Sequence, residues 1–275
     1  MGNSRTSFIA TGIGLVLNIV LDPLFIFGFG VIHPMGVAGA AIATVLAQLV
    51  VMLLFLYTIL RDTVLFCDVH ILHSYSSQHT REIFRIGLPS AVQSMLFSGI
   101  SMVIARLIAG WGDAAVAVQK VGSQIESISW MTAEGYAAAL NSFVAQNHGA
   151  KNTDRIREGY RLSMIVMLSW GVFCSFVLIV FPQLIFQVFI QEAEVLPMGV
   201  DYLRILGVSQ LFMCMEITTA GAFSGLGKTL PPSIVSITLT GARIPMAILL
   251  GRWLGLNGVW WAITISSIGK GIVLL

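Results

Sequence analysis

Charged residues are scarce in this sequence. Only 10% of its 275 residues are Asp, Glu, Lys or Arg, whereas 56% are hydrophobic, and an ordinary soluble domain has about 25% charged residues. This composition excludes a water-soluble globular protein. The formal net charge of +2 also gives neither the basic surface of a nucleic-acid-binding protein nor the acidic tail of a disordered one.

Cysteines are scarce as well. The three that are present, Cys67, Cys174 and Cys214, lie far apart, so the sequence predicts neither a disulfide framework nor a zinc motif among them. One polar connection, Arg61–Arg85, does bring Cys67 near three histidines. It lacks a convincing fourth ligand, so no metal site is expected there. The histidines are His70, His73 and His79.

Long hydrophobic runs, in contrast, fill the chain. A hydrocarbon core about 30 Å thick is crossed by about 20 apolar residues in a helix, and charged and turn residues divide this sequence into such runs. The sequence therefore predicts an all-α integral membrane protein with about eight transmembrane helices. The predicted spans are Ser7–Phe29, Gly36–Leu60, Gly87–Ala109, Ala115–Gln146, Gly159–Gln183, Met198–Phe223, Pro231–Gly251 and Asn257–Leu275.

Basic residues mark alternate connections between the spans. Lys and Arg are enriched on the cytoplasmic side of membrane proteins, so we expect the N-terminus of the chain in the cytoplasm and the protein in the plasma (cytoplasmic) membrane. The first run is not expected to be a cleaved signal peptide, because Asn18 and Asp22-Pro23 interrupt it. The predicted cytoplasmic side carries Arg5, Arg61, Arg81, Arg85, Lys151, Arg155, Arg157 and Lys228.

The sequence also contains an internal repeat, since the first two spans resemble the last two. Duplicated halves are typical of transporters that move around a central site. Repeat partners of spans three to six would lie before Met1, so we expect a fragment that lacks about four helices at its start and is slightly truncated at its end. A shift of 222 residues brings Pro23 onto Pro245, Gly36-Val37 onto Gly258-Val259, Ala40 onto Ala262 and Thr44 onto Ser266.

Five segments of the sequence carry the next inference, namely Asn18–Gly28, Gly36–Thr44, Arg85–Ser90, Val144–Asn152 and Gly221–Thr229. Taken in this order, they resemble segments of multidrug and toxic compound extrusion (MATE) transporters. The resemblance implies twelve helices in two lobes, of which this chain covers roughly the fifth to the twelfth. Residues 1–60 would then supply the last two helices of the N-terminal lobe, 61–86 a cytoplasmic linker, and 87–275 a C-terminal lobe of about six helices.

The same resemblance implies a secondary active antiporter that exports amphiphilic or cationic compounds in exchange for sodium ions or protons, by alternating access. It implies a small-molecule substrate of the organic-cation type, contact with membrane lipid, no cofactor beyond the coupling ion, and neither nucleic acid nor an obligate protein partner. We expect no enzymatic activity, since no Walker motif or catalytic triad is present.

Other functions stay open at this point. A flippase for lipid-linked precursors in the same superfamily would have a cavity rich in Arg and Lys. A truncated product without transport activity is a second alternative, and a membrane-embedded enzyme is a more distant third.

Asp22 is the first candidate for an ion-binding residue, because an acid inside a span costs at least about 2.5–3.5 kcal/mol unless it faces a cavity or a partner. Asn18 lies one turn earlier on the same helix face. Pro23 has no N–H, which frees the carbonyl of Ile19. We therefore predict a site for a small cation or a proton, to which the MATE resemblance adds Thr44. The alternative is that Asp22 lies at the outer end of its helix in solvent.

The fourth span carries a polar stripe at helical spacing, as expected for a helix that faces an aqueous cavity. Glu126 is the candidate for a second ion site or a substrate contact, together with Gln119. The alternative is a structural hydrogen bond to a neighbouring helix. The stripe consists of Gln119, Ser123, Glu126, Ser127, Trp130 and Glu134.

Glu216 is the third acidic candidate, near the middle of the sixth span. Its Met and Phe neighbours suit an amphiphilic cation, although such residues at helical spacing are more often ordinary packing. Basic residues within or near the spans are expected to snorkel or to pair, and we assign them no role. They are Lys120, Arg204, Arg243 and Lys270.

Overall fold

The hydrophobic runs fold as helices because a helix satisfies its own backbone hydrogen bonds, which hydrocarbon cannot do. The computed structural model describes residues 4–28, 33–61, 77–190 and 192–275, and within these ranges every regular element is a helix. The elements are α1 Ser4–Phe27, α2 Val37–Arg61, α3 Ser77–Ala109, α4 Asp113–Gly149, α5 Thr153–Val180, α6 Pro182–Gln187, α7 Leu196–Gly207, α8 Gln210–Gly225, α9 Leu230–Gly241, α10 Arg243–Leu254 and α11 Leu256–Leu274.

Each predicted span corresponds to one long helix or to two consecutive helices. By length and composition, five segments of the described chain can cross a membrane, namely α1, α2, α3, α5 and the pair α9–α10, and the bent pair α7–α8 is a sixth. Helices α4 and α11, with 37 and 19 residues, complete the eight predicted spans. The predicted all-α membrane fold is confirmed.

Helix boundaries differ from the prediction mainly where helices have polar ends. Helix α3 begins at Ser77, so residues 77–86, predicted as the end of the connection between lobes, are helical. Arg81, Glu82 and Arg85 lie in these first turns. Because they are charged, a search for apolar runs does not count them, although polar turns readily continue a helix beyond the hydrocarbon.

The predicted sixth span is broken between α7 and α8, whose axes differ in direction by 46°. Side chains satisfy the backbone at this break. The hydroxyl of Ser209 donates to the carbonyl of Leu206 at 2.9 Å, and the Gln210 amide Nε2 approaches the same carbonyl at 3.3 Å. Such side-chain bonds to the backbone compete with the helical pattern and accompany kinks.

The chain divides into two compact units, residues 1–75 and 76–275, called here the N-terminal and the C-terminal unit. In the N-terminal unit, α1 and α2 form an antiparallel hairpin. The backbone N–H groups of Met35 and Gly36 donate to the carbonyls of Phe25 and Ile26, which closes the hairpin. Gly39 lies directly against the Phe25 backbone, so the two helices are in close contact at this end.

In the C-terminal unit, α4 packs against α5, α7 and α8, and α11 packs against α7, α8, α9 and α10. The core between them is mostly aliphatic but also contains large aromatic side chains. Tyr202 and Trp260 are fully buried and meet edge to face, with ring centroids 5.1 Å apart, an arrangement that aromatic rings favour. Gly122 lies under the Tyr202 ring, where any larger side chain of α4 would displace it.

Helices α10 and α11 form a second antiparallel hairpin that agrees with the predicted repeat. Gly258 lies against the Leu250 backbone, as Gly39 lies against that of Phe25 in the first hairpin. The two contacts are centred on positions 32 and 254, which are 222 residues apart. The pairing register of both hairpins therefore follows the same shift that aligns their sequences.

Candidate functional site

The structure brings together Asn18, Asp22 and Thr44 in the N-terminal unit. The Asn18 amide nitrogen Nδ2 lies 3.4 Å from the Asp22 carboxylate oxygen Oδ1 and 3.4 Å from the Thr44 hydroxyl oxygen. Thr44 in turn donates to the carbonyl of Ala40 at 2.9 Å. Asp22 is half-buried, and Pro23 lies inside α1 beside it. The amide of Asn18 therefore links the acid on α1 to the hydroxyl on α2.

These side chains border a groove between α1 and α2 with a volume of about 350 Å³. Asn18 and Thr44 line the groove directly, and Asp22 contacts it through Asn18. Among the described residues of the N-terminal unit, no basic side chain forms an ion pair with Asp22. The groove lining thus supplies the side-chain oxygens of Asn18 and Thr44, and the Asp22 carboxylate lies next to Asn18 without an ion-pair partner among the described residues. Oxygen ligands and a carboxylate are the chemistry that a small cation or a proton requires.

Glu126 has both carboxylate oxygens engaged by neighbouring helices of the C-terminal unit. The Tyr202 hydroxyl donates to Oε2 at 3.1 Å, and the Gln210 amide donates to Oε1 at 2.8 Å. Gly122, one turn before Glu126, leaves room for the Tyr202 ring to reach it. The side-chain amide oxygen Oε1 of Gln210 is buried and has no hydrogen-bond partner in the described part of the chain.

The rest of the predicted α4 stripe does not form one aqueous face. Gln119 accepts a hydrogen bond from the Trp260 indole N–H at 3.0 Å, which joins α4 to α11. Ser127 is buried and donates within its own helix. Ser123 and Glu134 are exposed. The stripe therefore divides into residues that hold α7, α8 and α11 against α4 and residues on the open surface.

Glu216 forms an ion pair with Lys270. The Lys270 ammonium nitrogen lies 2.8 Å from the Glu216 carboxylate oxygen Oε2, and the two residues are only 6% and 8% exposed. The pair joins α8 to α11 inside the unit. Glu216 is therefore not a free acid in the way that Asp22 is.

Arg243 adds a second buried cation to this region. Its guanidinium donates to the hydroxyls of Ser266 and Ser267, at 2.5 and 3.1 Å, and the residue is buried. Two cations, Lys270 and Arg243, thus lie in the interior of the C-terminal unit.

Sequence reasoning did not assign roles to several of these partners. A lysine inside an apolar span has to face a partner, so Lys270 carries a signal that one exists. The sequence does not say which residue that partner is. The sequence did not indicate the hydrogen-bonding roles of Tyr202, Gln210 and Trp260, because their partners Glu126 and Gln119 lie on another helix and the pairing depends on how the helices pack.

The connector residues Cys67, His70 and His73 lie outside the described residues. Within the part of the chain that the structure describes, no three His, Cys, Asp or Glu side chains are close enough to hold a metal ion. Cys174 and Cys214 are buried free thiols.

A family model described as MatE matches residues 89–249, more than half of the chain. The chain belongs to the MATE family. The predicted resemblance is therefore confirmed, and it extends over the C-terminal unit that contains Glu126 and Glu216.

Similarity to individual MATE proteins extends over nearly the whole chain. The Thermotoga maritima protein named "Probable multidrug resistance protein NorM" is 32% identical over 94% of this chain and 56% of its own length. "Probable multidrug resistance protein YpnP" of Bacillus subtilis is 27% identical over 97% of this chain and 59% of its own. The chain thus spans a little under three fifths of the curated relatives it matches.

A solved structure confirms the arrangement of the helices. The outward-facing conformation of a multidrug resistance MATE family transporter of the MOP superfamily superposes on this chain with a TM-score of 0.88 at 26% identity. The match covers 99% of this chain and 61% of the other. The chain therefore has the helical fold of a MATE transporter.

Proposed function

We propose that this MATE protein is a secondary active antiporter that exports amphiphilic or cationic compounds, in exchange for sodium ions or protons. The observation that carries the proposal is the Asp22 carboxylate, which is half-buried within α1 and linked to Asn18 and Thr44. A carboxylate within a membrane helix costs free energy, so its presence there indicates a functional site. The names of the relatives as multidrug resistance proteins support export of drug-like substrates.

The mechanism follows from the charge of the site. An empty site holds a carboxylate without a counter-charge, which favours a conformation in which water reaches it. Binding of a cation or proton neutralises Asp22, so that a drier conformation becomes accessible. Pro23, which removes one backbone hydrogen bond from α1, is the point where the helix can bend between the two. Alternating access results when the protein changes conformation only with the ion bound at Asp22 or with the substrate bound in the cavity.

Orientation and partners belong to the same proposal. The excess of Lys and Arg on alternate connections supports a cytoplasmic N-terminus in the plasma membrane. Because the Asp22 carboxylate lies beside the groove, an organic cation is the expected substrate, and sodium or a proton is the expected coupling ion. No obligate protein partner is required by this mechanism, and no enzymatic step is part of it.

The substitution Asp22→Asn tests the proposal while keeping the size of the side chain. Cells that lack their own multidrug pumps and express the chain should accumulate less ethidium, an amphiphilic cation, than cells without it. We expect Asp22→Asn to raise accumulation to the level of cells without the protein, at equal amounts in the membrane, because the coupling charge is lost.

A matched variant and two energy conditions complete the experiment. Asp154→Asn removes an exposed carboxylate from the first turn of α5 and should leave efflux unchanged. Replacing sodium by choline, or collapsing the proton gradient with a protonophore, then identifies the coupling ion. Normal efflux by Asp22→Asn, or no ethidium export by the unmodified chain, would contradict the proposal.

A further inference from the structure

The interior of the C-terminal unit contains its own cations. Glu216 supplies one negative charge and Lys270 one positive charge, with 2.8 Å between the ammonium nitrogen and the carboxylate oxygen, and Arg243 is a second buried cation of this unit. When Glu216 and Lys270 carry their ordinary charges, the pair is neutral. A sodium ion added to it would leave one excess positive charge in a low-dielectric region, which is strongly unfavourable.

Lys270 is the cation in direct contact with Glu216. Its ammonium nitrogen lies 2.8 Å from the carboxylate, whereas Arg243 uses its guanidinium on Ser266 and Ser267. Among the described residues, Lys270 is also the one group that forms a hydrogen bond or ion pair with the Glu216 carboxylate. The position in which an exchangeable cation would neutralise Glu216 is therefore taken by a side chain.

The helix packing fixes Lys270 in this position. Gly271, its neighbour on α11, lies against the backbone of Phe212 on α8, and small residues of this kind let two membrane helices approach closely. Lys270 also lies on the same buried face of α11 as Ser266 and Ser267. The ammonium group consequently points between the helices, where Glu216 is within reach.

We infer that Lys270 acts as a tethered cation that occupies the acid site of Glu216, and so determines that this site does not take up the coupling ion. The inference rests on the proposed function in one respect, namely that the cation is the coupling ion of transport. It assigns ion dependence to Asp22 in the N-terminal unit, where the structure shows no such internal cation among the described residues. If Lys270 served only to join α8 to α11, replacing it would lower stability without making the stability depend on sodium.

Sodium binding to the purified full chain in detergent tests the inference without any transport step. The measurement is thermal unfolding in sodium chloride against choline chloride at equal ionic strength and at pH 8.5. All variants carry Asp22→Asn, which removes the site in the N-terminal unit. In this background we expect no sodium effect, whereas adding Lys270→Met should give a sodium-dependent rise in melting temperature of roughly 2–4 °C, since a ligand that binds only the folded state stabilises it.

Two control variants separate the ion site from general destabilisation. Adding Glu216→Gln to Lys270→Met should abolish the sodium effect, because the acid is gone. Lys120→Met makes the same change at an exposed lysine of α4 and should give no sodium effect. If Lys270→Met does not fold, Lys270→Gln keeps a hydrogen-bond donor beside the carboxylate and should show the same gain.

The inference fails if the folded Lys270 variants show no sodium effect that depends on Glu216. It also fails if, in the chain with Asp22 and Lys270 intact, Glu216→Gln alone removes a sodium effect. Neither result depends on ethidium export, so failure of this inference is distinguishable from failure of the proposed function.

Discussion

The two helix hairpins of this protein share one sequence pattern but differ in charge. In the N-terminal unit, the Thr44 hydroxyl is bonded to Asn18 beside the acid Asp22. In the C-terminal unit, the repeat partner of Thr44 is Ser266, and it is bonded to the base Arg243. A shift of 222 residues carries Asp22 to position 244, directly after Arg243. The first hairpin therefore has an acid at position 22, whereas the second hairpin has a base, Arg243, one residue before the equivalent position 244.

This difference indicates a division of roles between the two units. A carboxylate without a counter-charge costs stability but can bind a cation. A carboxylate that is paired with a buried cation is already neutralised, and it does not bind a second cation. In the proposed function, the exchange site therefore belongs to the N-terminal unit, whereas Glu216 of the C-terminal unit is neutralised by Lys270.

The largest expected effect comes from breaking the neutral interior. Lys270→Met leaves Glu216 as a buried acid without its partner, and breaking a buried ion pair in this way typically costs about 3–5 kcal/mol. We expect a correspondingly large fall in the free energy of unfolding, measured in detergent in the absence of sodium. Lys270→Met combined with Glu216→Met should recover most of this loss, because two apolar side chains replace the pair.

Lys120→Met is the control for the same chemical change outside the pair, and it should alter stability by less than about 0.5 kcal/mol. A loss that is equally large in the single and the double variant would show that Lys270 stabilises α11 by packing alone. The contrast between the two units would then lose its electrostatic basis.

The helices themselves were predictable from the sequence, because a long apolar run has few alternatives in a membrane. The eight predicted spans correspond to described helices, and their repeat register is visible in the Gly39 and Gly258 contacts. The break between α7 and α8 was not predictable. It depends on Ser209 and Gln210, whose bonds to the Leu206 carbonyl form only in the folded backbone.

The candidate sites were predictable to different degrees for a physical reason. Asn18 and Asp22 are one helical turn apart, so the sequence alone places them on one face, and their contact follows. Glu216 and Lys270 lie on different helices, so their pairing depends on how α8 and α11 pack. Local spacing predicts contacts within a helix, whereas contacts between helices need the fold.

The shared register of the two hairpins predicts similar, smaller effects at their close contacts. A methyl group at Gly39 or at Gly258 would meet the backbone of the partner helix, and overpacking of this kind costs about 1–3 kcal/mol. We expect Gly39→Ala and Gly258→Ala each to lower the free energy of unfolding within this range. Gly12→Ala and Gly241→Ala, which have open space around the new methyl, should be neutral or slightly stabilising.

A cost at only one of the two glycines would show that the hairpins pack differently despite their common register. In that case the comparison between Thr44 and Ser266 would rest on sequence alone. Equal costs would allow the two positions to be compared as structural equivalents that differ in charge.

The smallest effect on stability is expected at Thr44, with a distinct effect on ion dependence. Thr44→Val removes the hydroxyl that lies 3.4 Å from the Asn18 amide, a long contact on an exposed residue, so the free energy of unfolding should change by less than about 0.5 kcal/mol. The concentration of coupling ion that gives half-maximal ethidium efflux should nevertheless rise, because one oxygen of the site is lost.

Thr58→Val is a matched control on the same helix. Thr58 donates to the Leu54 carbonyl at 2.8 Å, much as Thr44 donates to that of Ala40 at 2.9 Å, but it has no described contact with Asn18 or Asp22. Both substitutions therefore remove the same kind of hydrogen bond, from a threonine hydroxyl to the carbonyl four residues earlier. Only Thr44→Val also removes a hydroxyl from the groove. An equal change in ion dependence for the two variants would mean that the hydroxyl acts through the helix backbone. It would also reduce the exchange site to Asp22 and Asn18.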